Sequence, residues 1–191
     1  VSRAMEVLWL LTVFLVPLMF VSPGLMANWF DVPKVTLYRS LVGLTCALWI
    51  IEGGLTPSAL RAGIPRLSPS MLKGWLLAQP GRWVLVAAWV SLASQLVSTL
   101  LSPSIPVSLW GREPALDGNS FYITLSHFLL FLVVATHLER AAQLWRLLGA
   151  ITASGVVAGL YAVLQYYGLD PFGTHMTGAR VVSSLGNPIS A

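Results

Sequence analysis

The sequence predicts an all-α, polytopic membrane protein, a bundle of transmembrane helices. Three observations predict it: apolar runs close to membrane-spanning length, a shortage of charge, and confinement of the few charges to the segments between runs. Of 191 residues, 56% are hydrophobic and 9% charged, and the mean hydropathy is +0.77. Soluble domains carry about 25% charged residues, enough to cover a wet surface. This chain lacks that cover, so its apolar surface must face lipid or other helices.

A helix crosses the hydrocarbon core with about 20 apolar residues. Five runs qualify: residues 7–25, 35–51, 83–101, 121–138 and 147–164. Pro17 lies inside the first, where neighbouring helices can satisfy the carbonyl it leaves without a donor. That run is too long for a signal-peptide core, and Leu25-Met26-Ala27 is a poor cleavage site, so it reads as a span. A sixth span begins after Pro188. The chain is expected to be a single transmembrane domain over residues 1–191, cut off at its C-terminus.

The formal charge is +4 and the pI about 9.6. A basic balance can signal nucleic acid, but these cations sit between apolar runs, where they set topology and meet lipid headgroups. No nucleic-acid partner is expected. With the N-terminus in the cytoplasm, seven of the 11 Lys and Arg residues fall inside, including Arg61, Arg66, Lys73 and Arg82 in one long segment. Lys34, Arg39, Arg112 and Arg180 fall outside. The excess favours that orientation. Residues 70–79 in the inner segment suit a short helix lying at the membrane surface, or an ordinary loop with buried apolar residues.

Polar residues within the runs are few. Ser91, Ser94, Gln95 and Ser98 share one face of the third run, which is expected to look into the bundle for interhelical hydrogen bonds. Gly155 and Gly159 form a small-xxx-small pair that admits close helix approach. His127 lies at depth beside Ser126; a neutral imidazole is usually satisfied by one or two neighbours. His127 and His137 are ten residues apart and point to different faces, so they are no metal pair. Cys46 is the sole cysteine and fits no metal-ligand spacing. No phosphate-binding glycine loop or paired catalytic carboxylates occur.

The outer segments hold the remaining chemistry. Arg180 precedes the Gly186-Asn187-Pro188 turn, whose residues suit a tight bend followed by a helix start. A guanidinium there matches phosphate or pyrophosphate oxygens, or anchors the helix at headgroups.

The order Gln165, Gly168, Asp170-Pro171-Phe172, Arg180, Gly186-Asn187-Pro188 resembles the O-antigen ligase and polymerase family (WaaL/Wzy-like proteins). Val32-Pro33-Lys34 and Ser108-Leu109-Trp110-Gly111 are similar as well. The specific part spans the last quarter-hundred residues or so; elsewhere the likeness is one of spacing. The motif often continues with Asn, where Ile189 stands here, and the family's later spans and large outer loop lie beyond this sequence.

The resemblance implies a GT-C-like glycosyltransferase of the bacterial cytoplasmic membrane, acting in cell-envelope or lipopolysaccharide biosynthesis. It moves a glycan from undecaprenyl pyrophosphate to an acceptor on the outer face, without metal or other cofactor. By the same resemblance Arg180, with Lys34 and Arg39 as further candidates, holds the donor pyrophosphate. Gly186, Asn187, Pro188 and Asp170 shape the turn. The acceptor-activating histidine belongs to the missing loop, so the chain alone is expected to be inactive. Two other classes stay open: a non-catalytic assembly subunit, and a transporter, for which no internal repeat is seen.

The topology has a direct test. In a Cys46→Ser background, cysteine placed at Arg180 should react with a membrane-impermeant maleimide from outside, and cysteine at Lys73 only after permeabilisation. Labelling of position 180 from the cytosol alone would sink the outward-facing site.

Overall fold

The computed structural model describes residues 1–21, 30–55, 81–111, 120–172, 181 and 183–185. Among these, every regular element is helical: α1 (Ser2–Leu18), α2 (Asp31–Leu55), α3 (Gly81–Leu100), α4 (Ile105–Trp110), α5 (Phe121–His137), α6 (Ala141–Tyr166) and a 3-10 turn (Ser183–Leu185). Three helices are long and apolar enough to cross a membrane: Asp31–Gly53, Trp83–Leu100 and Ala141–Tyr166. α5 is equally apolar but has 17 residues, or about 25 Å against a hydrocarbon core of about 30 Å. The surface helix expected at residues 70–79 lies outside the described residues.

The helix ends follow from local chemistry. α1 was expected to run to residue 25. It stops at Leu18, one residue past Pro17, and Met19 is extended. Pro17 has no N–H for the Val13 carbonyl, so the final turn is weakened from within. α6 ends in a Schellman motif. The Gly168 N–H bonds the Gln165 carbonyl at 3.0 Å and the Leu169 N–H bonds the Leu164 carbonyl at 2.9 Å. Gly168 supplies the left-handed residue this motif needs, at φ +74°. At the other end, the Gln143 side-chain oxygen accepts the backbone N–H groups of Glu139 and Arg140, each at 3.0 Å, which fixes the α5–α6 corner.

The helices pack in a row, α6–α1–α2–α5–α3, with α4 against α3 and α5. At the centre of the seam Met5, Trp9 and Val133 are fully buried, surrounded by Leu10, Leu48, Trp49, Leu130, Val134 and Leu147. Four buried hydroxyls are satisfied by their own helix. Thr12, Thr45, Thr99 and Ser126 each donate to the carbonyl four residues earlier, at 2.7–2.8 Å. That geometry removes the need for a partner in lipid.

Two sequence-based expectations are corrected here. Ser91, Ser94 and Ser98 do not look into the bundle; they are exposed, and only Gln95 of that set is partly covered. The packed stripe of α3 carries Leu92 and Thr99, and Trp89 reaches the Phe128 ring at 4.6 Å. One residue of rotation, about 100°, separates the two stripes. Nor does a helix sit close on Gly155 and Gly159: a Cβ built on either meets nothing within 4 Å. They line an apolar cavity of about 400 Å³ with Val13, Pro17 and Ser154.

Trp9→Ala would open a void at the shared seam of four helices. Such truncations cost about 3–5 kcal/mol, so the variant should insert normally but lose its folded state at clearly lower denaturant in a detergent unfolding titration.

Candidate functional site

The bundle has two polar ends, named inner and outer after the charge-based topology. At the outer end, the start of α2 meets the ends of α1 and α6. Phe20 stacks on Tyr161 (5.5 Å, 9° between planes) and meets Phe172 edge-on at 5.2 Å and Phe30 at 6.1 Å. This aromatic cap draws residues 20, 30, 161 and 172 together although they come from four parts of the chain.

Asp170 is fixed beneath it. Its Oδ1 accepts the Tyr161 hydroxyl at 2.9 Å and the Phe172 N–H at 3.0 Å. The second bond is an Asx turn, which bends the chain through Pro171. The 3-10 turn is clamped to the same end. Gln165 Oε1 accepts the Ser183 N–H at 2.7 Å, and the Ser183 hydroxyl donates to the Ala158 carbonyl at 2.6 Å. Ser183 holds φ +54°, uncommon for a residue with a Cβ. Those two bonds, buried on both sides, fix it there. Arg180, Gly186, Asn187 and Pro188 lie outside the described residues; the turn at 183–185 fixes where the segment between them is attached.

The two described cations of α2 face different neighbours. Lys34 sets its ammonium over the Phe30 ring, 5.5 Å from the centroid, under the aromatic cap. Arg39 lies over Tyr122, 4.7 Å from its centroid, and Tyr122 also packs against Trp110 at 5.3 Å. Five residues of helix place the two about 140° apart, so they do not converge on one point.

Arg39 is chemically incomplete. Its Nε is buried without an acceptor, and it has no carboxylate partner among the described residues. The neighbouring Tyr38 hydroxyl and the Ser120 hydroxyl at the start of α5 are buried without partners too. A buried donor left unpaired costs about 1–3 kcal/mol, more when charged. Trp9 Nε1 and the Ser154 and Ser184 hydroxyls are buried without partners elsewhere in the bundle.

His127 is satisfied locally. Its Nδ1 lies 2.8 Å from the Ile123 carbonyl, which can only accept, so Nδ1 carries the proton. The ring stacks on Tyr38 at 4.8 Å. Among the described residues no three of His, Cys, Asp and Glu converge as metal ligands. Tyr122, the seat of Arg39, was not found from the sequence. The only signal available was that an arginine within an apolar run must have a covering group.

Gln165→Leu removes the acceptor for the Ser183 N–H while keeping side-chain volume. Limited proteolysis should then cut near residues 181–185 several-fold faster than in the parent, with helix content unchanged.

No family model, curated protein or solved structure matches the chain.

Proposed function

We propose that this chain is part of a lipid-linked-glycan transferase of the O-antigen ligase type. In this reading the bundle is GT-C-like, with about five spans and the N-terminus in the cytoplasm of a bacterium. It binds an undecaprenyl-pyrophosphate-linked glycan and passes the glycan to an acceptor at the outer membrane face. The acceptor hydroxyl attacks the anomeric carbon, the bond to the diphosphate breaks, and undecaprenyl pyrophosphate leaves. Fixed cations lower the barrier by meeting charge as it builds on the leaving group.

The observation that carries this reading is Arg39. A guanidinium on an aromatic seat, with a buried Nε lacking an acceptor, suits a phosphate oxygen. The clamp on Ser183 supports it further, because Arg180 lies three residues from a point held against α6. Arg180 is assigned to the diphosphate and Arg39 and Lys34 to the anionic surroundings of that site.

A second reading, a non-catalytic assembly subunit, is favoured by one observation. The exposed Ser91, Ser94 and Ser98 stripe on a span-length helix is the kind of surface another transmembrane helix covers.

In the full-length protein, expressed in cells lacking the wild-type gene, Arg180→Ala should abolish transfer of a labelled glycan from its lipid carrier, with membrane insertion intact. Arg39→Gln should slow it about 10²–10³-fold, the usual cost of one charge-stabilising donor. Arg39→Lys should rescue poorly, since an ammonium lacks the planar donor fork. Near-normal transfer in both the Ala and Gln variants would remove these arginines from the mechanism. Intact glycan with loss of a co-purifying complex would favour the subunit.

A further inference from the structure

At the inner end, the starts of α1 and α6 and the ends of α2 and α5 enclose a cavity of about 840 Å³. That is within the size range of small-ligand sites, about 300–1,000 Å³. It lies at the opposite end of the bundle from the outer site and does not depend on the function proposed for it.

Two of its acids are already matched. Glu6 accepts from Arg146 Nε at 2.7 Å and faces the Gln143 amide at 3.5 Å. Glu52 lies 3.0 Å from His137 Nε2. The other nitrogen of His137 is 3.0 Å from the Val133 carbonyl. The same nitrogen is 2.9 Å from the Thr136 hydroxyl oxygen, so both sides of the ring are engaged within the protein. What remains on the wall is Arg3, Arg140 and Glu139, none in an ion pair among the described residues. Two guanidiniums stand against one carboxylate.

The two arginines also sit where α1 and α6 begin, and a helix start carries partial positive charge. The carboxylate and the Thr136 hydroxyl are on the same wall; that hydroxyl donates to the Leu132 carbonyl at 2.7 Å and lies 2.9 Å from His137 Nδ1, which leaves one lone pair as an acceptor. Glu139 and Thr136 thus offer acceptors to a ligand's hydroxyl groups. Val7 and Leu10 give the cavity an apolar wall, and Val7 is 54% exposed.

We propose that this cavity binds a singly charged phosphodiester bearing hydroxyl groups, its phosphate between Arg3 and Arg140 and its hydroxyls toward Glu139 and Thr136. The apolar wall and the placement at the inner headgroup level make a phosphatidylglycerol-type lipid the occupant. Soluble glycerophosphoglycerol is the same phosphodiester without its acyl chains.

The purified protein in detergent is titrated with phosphatidylglycerol, phosphatidylcholine and soluble glycerophosphoglycerol, and bound ligand is read by native mass spectrometry. Phosphatidylglycerol should be retained at least tenfold better than phosphatidylcholine. The Arg3→Gln/Arg140→Gln double variant should lose that preference. Glu139→Ala should weaken phosphatidylglycerol retention several-fold with helix content unchanged, because the lipid's hydroxyls lose an acceptor. Glycerophosphoglycerol binding as tightly as the lipid, with the same variant pattern, upholds the phosphate site and assigns it to a soluble ligand. Retention unchanged in either variant, or absent for both phosphodiesters, overturns the proposal.

Discussion

Lipid offers no hydrogen bonds, and this chain is shaped by having to supply its own. Each unsatisfied backbone group in hydrocarbon costs several kcal/mol, so the described elements are helices that close their own ladders. Side-chain hydroxyls obey the same constraint by bonding back four residues, as Thr12, Thr45, Thr99 and Ser126 do. His127 repeats the pattern with its imidazole. Polar residues handled in this way leave the seams free for packing. The central seam is accordingly built from Met5, Trp9 and Val133 rather than from polar contacts between helices.

Against that background the exceptions are informative. Arg39, Tyr38 and Ser120 hold buried polar atoms with no internal answer, and they belong to the outer half of the α2–α5 seam. The inner end is different in kind. There Glu6 and Glu52 meet Arg146 and His137 across helices, and the charges left over are on the cavity wall. One end keeps donors in waiting within an aromatic setting; the other is a charged vestibule.

Much of the helical layout was legible from hydropathy, because a helix in lipid needs a long apolar run and this chain has them in separate blocks. The start of α5 and the extent of α3 agree with the runs to within two residues. The end of α1 did not, because an apolar run continues past Pro17 while the backbone ladder does not. Gly168 and Asp170 could be recognised as turn residues from their types, and they serve as such. Burial of the α3 stripe was misjudged because periodicity defines faces without saying which one a neighbour takes. The ion pairs were illegible for a simpler reason: Glu52 and His137 are 85 residues apart, and Glu6 and Arg146 are 140 apart. No local pattern reports contacts at that distance. Ser183 is anchored to this frame by Gln165 and Ala158, while Arg180 and Gly186-Asn187-Pro188 lie outside the described residues.

The row order of the helices also fixes a timetable for biogenesis. Of the described α-helices α1 is made first, yet its neighbour on one side, α6, is made last. At synthesis rates of about 5–20 residues per second, Glu6 waits roughly 7–28 s before Arg146 leaves the ribosome. During that interval α1 holds an acidic group at the bilayer edge with only α2 arriving early to cover it. The inner vestibule therefore waits on α6, and an interruption of translation before α6 leaves it without one of its walls.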